Sequence, residues 1–248
     1  MNGLVAALRY LTILQVGAGR PHDKGAAPGA AAPWFPVVGA GLGLMLIATE
    51  RVTGLLFPSL LAALLTVTVW KLLTGGLHLD GLADCLDGLP GLDAEHRLRI
   101  MRDSRIGAFG AIGLILFLLL EIAAVSELAA ATRWRALLAA PVVGRAMPPL
   151  LSRLFPPARP EGHGAAFREG LSPLAPPVTL GVALVLAVLA LGALGAIALA
   201  ASMLVSVGLA RFFSRRLGGI NGDVLGAAVE TAELTTLLTV SAWSHAAR

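Results

Sequence analysis

Seven apolar stretches divide the chain, at roughly 35–50, 55–73, 107–127, 136–152, 175–192, 195–212 and 231–244. Several approach the roughly 20 residues that an α-helix needs to cross a bilayer. The clearest runs from Ile106-Gly107-Ala108 into Leu114-Ile115-Leu116-Phe117-Leu118-Leu119-Leu120. Only 14% of the 248 residues are charged and 56% are hydrophobic, whereas a soluble domain carries about 25% charged residues. Segments this long and this poor in charge are buried all round, and lipid is the medium that suits their length. The pattern predicts an all-α, polytopic membrane bundle of six to seven transmembrane helices, in one domain covering residues 1–248. The 29 glycines suit close helix packing in a membrane. The fourth stretch carries Arg145 and prolines, which makes it either internal to the bundle or interfacial. The seventh is short for a full span.

Composition excludes several classes. The single Cys85 rules out an intramolecular disulfide and a cysteine-based zinc site. The apolar N-terminal 19 residues lack a basic n-region and a small-residue cleavage site, so no cleaved signal peptide is expected. A net charge of +4 with few aromatics and no basic tract argues against nucleic acid as a partner.

The basic residues orient the layout. With a cytoplasmic N-terminus and seven spans, most of the 19 Lys and Arg fall on the inner side. Arg51, Arg133, Arg135 and Arg248 fall outside, and Arg145 lies within a span. The same layout puts loops 71–106, 153–174 and 211–230 on one face, where one site can draw on all three. Loop 153–174, rich in Pro, Gly and charge, reads as a substrate lid, and residues 20–34 as a flexible or re-entrant connector. Glu121, towards the outer end of the third span, is expected to pair with Arg145.

Three motifs carry chemistry. In Leu77-His78-Leu79-Asp80-Gly81-Leu82-Ala83-Asp84-Cys85-Leu86-Asp87-Gly88, the aspartates stand at i, i+4 and i+7. A helix of 3.6 residues per turn gathers them on one face, where their repulsion calls for a cation. Mg²⁺, held by a few carboxylates together with substrate phosphates, fits Asp80, Asp84 and Asp87. Gly81 and Gly88 would let a diphosphate approach the backbone. His78 is a ligand, a phosphate contact or an interface histidine. In Arg102-Asp103-Ser104-Arg105-Ile106-Gly107-Ala108-Phe109-Gly110, the two arginines suit bidentate phosphate binding. Asp103 between them is a metal ligand or a base for an attacking hydroxyl. In Gly218-Gly219-Ile220-Asn221-Gly222-Asp223-Val224-Leu225-Gly226, the Gly-rich turn offers backbone N–H groups of Gly219, Asn221 and Gly222 to a phosphate. Asp223 and Glu230 are seven apart, again on one helical face.

These three motifs, in this order along the whole chain, strongly resemble the cobalamin synthase family, whose members are adenosylcobinamide-GDP ribazoletransferases. Asn221 departs from the family pattern, where a hydroxyl residue, often Thr, is usual. The resemblance implies that a hydroxyl of α-ribazole, or of its 5′-phosphate, attacks the corrinoid-side phosphorus of adenosylcobinamide-GDP. GMP then leaves, and adenosylcobalamin or its 5′-phosphate forms. It also implies Mg²⁺ as cofactor, the bacterial inner membrane with its lipid as setting, and cytoplasmic motif loops. Self-association or a complex with other cobalamin-assembly enzymes is open. On this reading Asp80, Asp84 and Asp87 hold Mg²⁺ on the diphosphate, and Asp223 and Glu230 complete the site. Arg102 and Arg105 stabilise charge on the phosphates. Asp103 is the base, with His78 as the alternative.

Two other readings compete. A CDP-alcohol phosphotransferase making a phospholipid runs similar chemistry on a helix face. It would carry further aspartates where Cys85, Leu86 and Gly88 stand, and the Arg-Asp-Ser-Arg block is foreign to it. A transporter would place its charges near the bilayer midplane rather than in loops on one side.

Overall fold

The computed structural model describes residues 3–16 and 28–246, and among these all regular structure is helical. Helix α1 (Gly3–Leu11) comes first. The connector expected at 20–34 lies outside the described residues as far as 27. Its remainder, Pro28–Trp34, is a 3₁₀ segment that continues into α2 (Phe35–Leu56). After Phe57-Pro58 the chain enters α3 (Ser59–Leu73). Gly75 and Gly76 then take left-handed φ values of 63° and 68°, which only glycine adopts without steric cost. They turn the chain by 91° into α4 (Leu77–Asp87), the helix of the aspartate motif.

A short α5 (Ala94–Ile100) follows, capped by the Asp93 carboxylate, which accepts the His96 N–H at 2.8 Å. Then come α6 (Ala108–Glu127), α7 (Ala130–Leu154), the short α8 (His163–Glu169), α9 (Ala175–Leu191), α10 (Ala193–Leu217) and α11 (Gly222–Ala246).

The fourth apolar stretch is internal. From Ala136 to Ser152 nearly every residue of α7 is buried, Arg145 included. Helix α2 crosses it closely through Gly39 and Gly43. A Cβ at Gly39 would meet the Pro141 carbonyl oxygen at 2.5 Å, and one at Gly43 would meet Leu138 Cα at 2.8 Å. This is the small-xxx-small device of membrane helix pairs. Helix α11 packs against α7, α10 and α4, so the two most buried helices lie side by side. Helix α6 instead turns Ile112, Ile115, Leu116, Leu119 and Leu120 outward, an apolar face suited to lipid.

Among the described residues, four helices are long and apolar enough to cross a membrane: the 28–56 segment, α6, α10 and α11. The bent pair α3–α4 makes a fifth if it counts as one span. The expectation of six to seven counted α7, whose arginine and prolines lower its hydropathy, and α9, which has only 17 residues. The seventh stretch, expected over 231–244, begins at Gly222 and is 25 residues long. Its first turns carry Asp223 and Glu230, whose charge masks the start of the helix in an apolar pattern.

Candidate active site

Asp80 and Asp84 project from α4, and Asp223 from the first turn of α11. The two helices meet through glycines. A Cβ at Gly81 would lie 2.7 Å from the Asp223 carbonyl oxygen, and one at Gly226 would lie 3.2 Å from His78 Cα. Gly81 therefore serves the helix crossing, and its backbone is covered rather than open to a diphosphate. Gly88 faces Met101 in the same way, with a Cβ position 2.9 Å from Met101 Cγ. The crossing brings Asp84 within electrostatic reach of Asp80, Asp87 and Asp223. Asp80 is exposed, while Asp84 and Asp223 are half-buried.

The Asn221 side chain caps α11 by accepting the Val224 N–H through Oδ1 at 3.1 Å, and its Nδ2 donates to Asp223 Oδ2 at 2.6 Å. Asparagine thus performs the capping a hydroxyl residue would, and in addition orients a carboxylate. Asn221, Gly222 and Asp223 line a cavity of about 190 Å³ together with Arg102. Gly219 is packed instead against Pro156–Ala158, 2.6 Å from the Ala158 nitrogen at its Cβ position.

Asp87 has a different task from its neighbours. Its Oδ2 accepts the Gly107 N–H and its Oδ1 the Gly110 N–H, both at 2.7 Å. It caps the N-terminus of α6 from across a 20-residue gap, where a negative charge also meets the positive end of the helix dipole. A Cβ at Gly107 or Gly110 would collide with the Asp87 carboxylate, which accounts for both glycines. Asp87→Asn is expected to lower stability by about 1–2 kcal/mol while leaving any response to added divalent cation unchanged. Thermal unfolding in detergent and a metal titration check this. An altered metal requirement at an unchanged midpoint would instead make Asp87 a ligand.

Asp103 and Arg105 are joined to each other rather than to this site. Arg105 donates to Asp103 Oδ2 at 2.6 Å, and both stand exposed on the segment after α5. The hydrogen bond from the Arg105 side chain pushes the Asp103 carboxyl down to about 2. His78, the alternative, is buried where α4 meets α11, with no partner for Nδ1 among the described residues. It does not reach the cavity.

Glu230 belongs to a separate interior cluster. Lys71 Nζ donates to Glu230 at 2.7 Å and to Glu121 at 2.9 Å, and lies 3.8 Å from Glu233. Arg145 pairs with Glu233. Lys71 is thus no loop cation, and Glu121 finds Lys71 where Arg145 was expected. Oxygens of Glu121, Glu230 and Glu233 lie within 4.8 Å of one another, with the Lys71 ammonium already among them. These five charged groups lie in the helical interior rather than in loops.

Loop 153–174 is docked rather than lid-like. The Ala158 N–H donates to the Ile220 carbonyl at 2.8 Å, and the Ile220 N–H to that of Pro156 at 2.9 Å. Phe167 of α8 is buried beside Phe35 and Tyr10. This anchoring brings Arg159 and His163 to the cavity, two residues the motif reading passed over. Their only signal was the charge in the Arg159-Pro160-Glu161-Gly162-His163 run of a loop already assigned to this face.

Fold and site together define a polytopic helical membrane protein with a cluster of acidic groups at one end of its bundle, where three loops converge. The family model for cobalamin-5-phosphate synthase matches residues 3–241, and the chain belongs to that family. A relative from Roseiflexus sp. (strain RS-1) is 39% identical, covering 95% of this chain and 87% of its own. One from Pseudomonas paraeruginosa is also 39% identical, over 97% and 98%. One from Brevibacillus brevis is 36% identical, over 98% and 99%. All three are named adenosylcobinamide-GDP ribazoletransferase. No solved structure matches.

Proposed function

We propose that this protein transfers the corrinoid phosphate of adenosylcobinamide-GDP to α-ribazole or its 5′-phosphate, with release of GMP, in a bacterial inner membrane. The observation that carries the reading is the grouping of Asp80, Asp84 and Asp223 beside a cavity lined by Arg102. Phosphoryl transfer through a loose transition state depends on positioning and charge neutralisation more than on covalent catalysis. An all-oxygen carboxylate set with an exposed member suits Mg²⁺, which keeps some waters and takes phosphate oxygens besides. Bound at Asp80, Asp84 and Asp223, Mg²⁺ would supply neutralisation of the diphosphate charge. Asn221 holds Asp223 in place for that role. Arg102 takes charge that develops on the departing nucleotide. The loop end faces the cytoplasm on this reading, where nucleotide substrates reside.

Membranes containing the protein are expected to release GMP from adenosylcobinamide-GDP only when α-ribazole and Mg²⁺ are both present, and EDTA is expected to stop it. Release that ignores the acceptor points to hydrolysis, and no release favours the phospholipid or transporter reading.

A further inference from the structure

The cavity at the loop end holds positive charge to which the transfer reaction above gives no partner. Its lining brings Arg159, from the segment after α7, together with Arg102, from the segment after α5. Neither guanidinium forms an ion pair among the described residues, although Glu161 and Asp223 line the same cavity. Arg159 is half-buried, whereas Glu161 stands exposed.

The segment that leads to Arg159 is tied to its neighbours. Backbone bonds tie Pro156 and Ala158 to Ile220, and the Arg168 guanidinium donates to the Ser152 and Phe155 carbonyls. A guanidinium carried there offers a planar fork of donors to a phosphate's oxygens. Size narrows the ligand further. About 190 Å³ falls below the roughly 300–1,000 Å³ that encloses a whole drug-sized ligand. The cavity admits a phosphate and its neighbouring sugar but not a corrin ring.

We propose that Arg159 and Arg102 form a phosphomonoester subsite, which takes the 5′-phosphate of a nucleotide beside Asp223. The proposal rests on the transfer reaction above, in which two molecules carry that group: the departing GMP and the phosphorylated acceptor.

The test uses the full chain in membranes, with Arg159→Gln, Arg159→Lys and, as control, Arg99→Gln on α5 outside the cavity. If the acceptor occupies the subsite, Arg159→Gln raises KM for α-ribazole 5′-phosphate about tenfold or more and leaves KM for α-ribazole within about twofold. If GMP occupies it, the GMP inhibition constant rises about tenfold instead, with both acceptor constants unchanged. Arg159→Lys, which keeps the charge and loses the fork, recovers part of either effect. A fall in kcat with all three constants unchanged overturns the proposal, as does the same shift in Arg99→Gln.

A binding readout separates this from the transfer reading. Phenylglyoxal labels accessible guanidinium groups, and peptide mass spectrometry locates the label. Millimolar GMP or inorganic phosphate is expected to protect Arg159 and not Arg99. A wild-type protein that turns over no corrinoid sinks the transfer reading alone. An Arg159 that neither anion protects sinks the subsite alone.

Discussion

Asp84→Asn is expected to cut GMP release below about a tenth of wild type, a barrier increase of more than about 1.4 kcal/mol. Asparagine has nearly the same shape, so the packing of α4 against α11 is preserved. What it removes is one anion from a group in which Asp84 sits within reach of Asp80, Asp87 and Asp223. A divalent cation held by carboxylates loses both charge and a hard oxygen donor in that change. Asp80→Asn, on the more exposed rim, is expected to cost less and to be partly overcome by excess Mg²⁺. Release from membranes gives the rate, and the yield of folded protein after detergent extraction guards against a trivial loss. A variant retaining more than about a tenth of activity at normal yield would remove Asp84 from the metal site.

How much of this was legible depended on the range over which each residue acts. The helices followed from apolar runs, and the turn at Gly75-Gly76 into α4 left the aspartate pattern where its i, i+4 spacing required. Convergence of three loops followed from counting basic residues, and the cavity joins Arg102, Arg159 and Asn221 accordingly. Contacts across long sequence gaps were not legible. Nothing local tells Asp87 that Gly107 and Gly110 donate to it, so its cap on α6 could not be read from the i, i+7 spacing. Gly81 and Gly88 were misread for the same reason, since only the fold reveals what fills the space beside them. Glu230 shows a subtler limit. It does share a helical face with Asp223, but seven residues of helix advance about 10 Å along the axis. One residue therefore opens to the cavity while the other lies in the interior with Lys71.

Lys71→Met is expected to do the most damage to the fold itself. Its ammonium is the shared partner of Glu121 and Glu230 and the near neighbour of Glu233. Without it, three buried carboxylates face one buried guanidinium, that of Arg145. Removing one partner of a buried ion pair costs about 3–5 kcal/mol, because the remaining charge is left without compensation. Glu121→Gln is expected to be milder, since Lys71 keeps Glu230 and the group loses an excess negative charge. The double variant Lys71→Met/Glu230→Gln is expected to recover part of the loss, a non-additivity that marks a direct interaction. Thermal midpoints in detergent for the three variants check the order. Equal midpoints for Lys71→Met and wild type would show that the cluster does not carry these charges when folded. The cluster also bears on the site, because it joins the end of α3 to the middle of α11. Asp80 and Asp84 lie just beyond Lys71 along the chain, and Asp223 lies two turns before Glu230 on α11. Where Lys71→Met can still be extracted folded, its activity is therefore expected to fall further than its yield, through misalignment of α4 and α11.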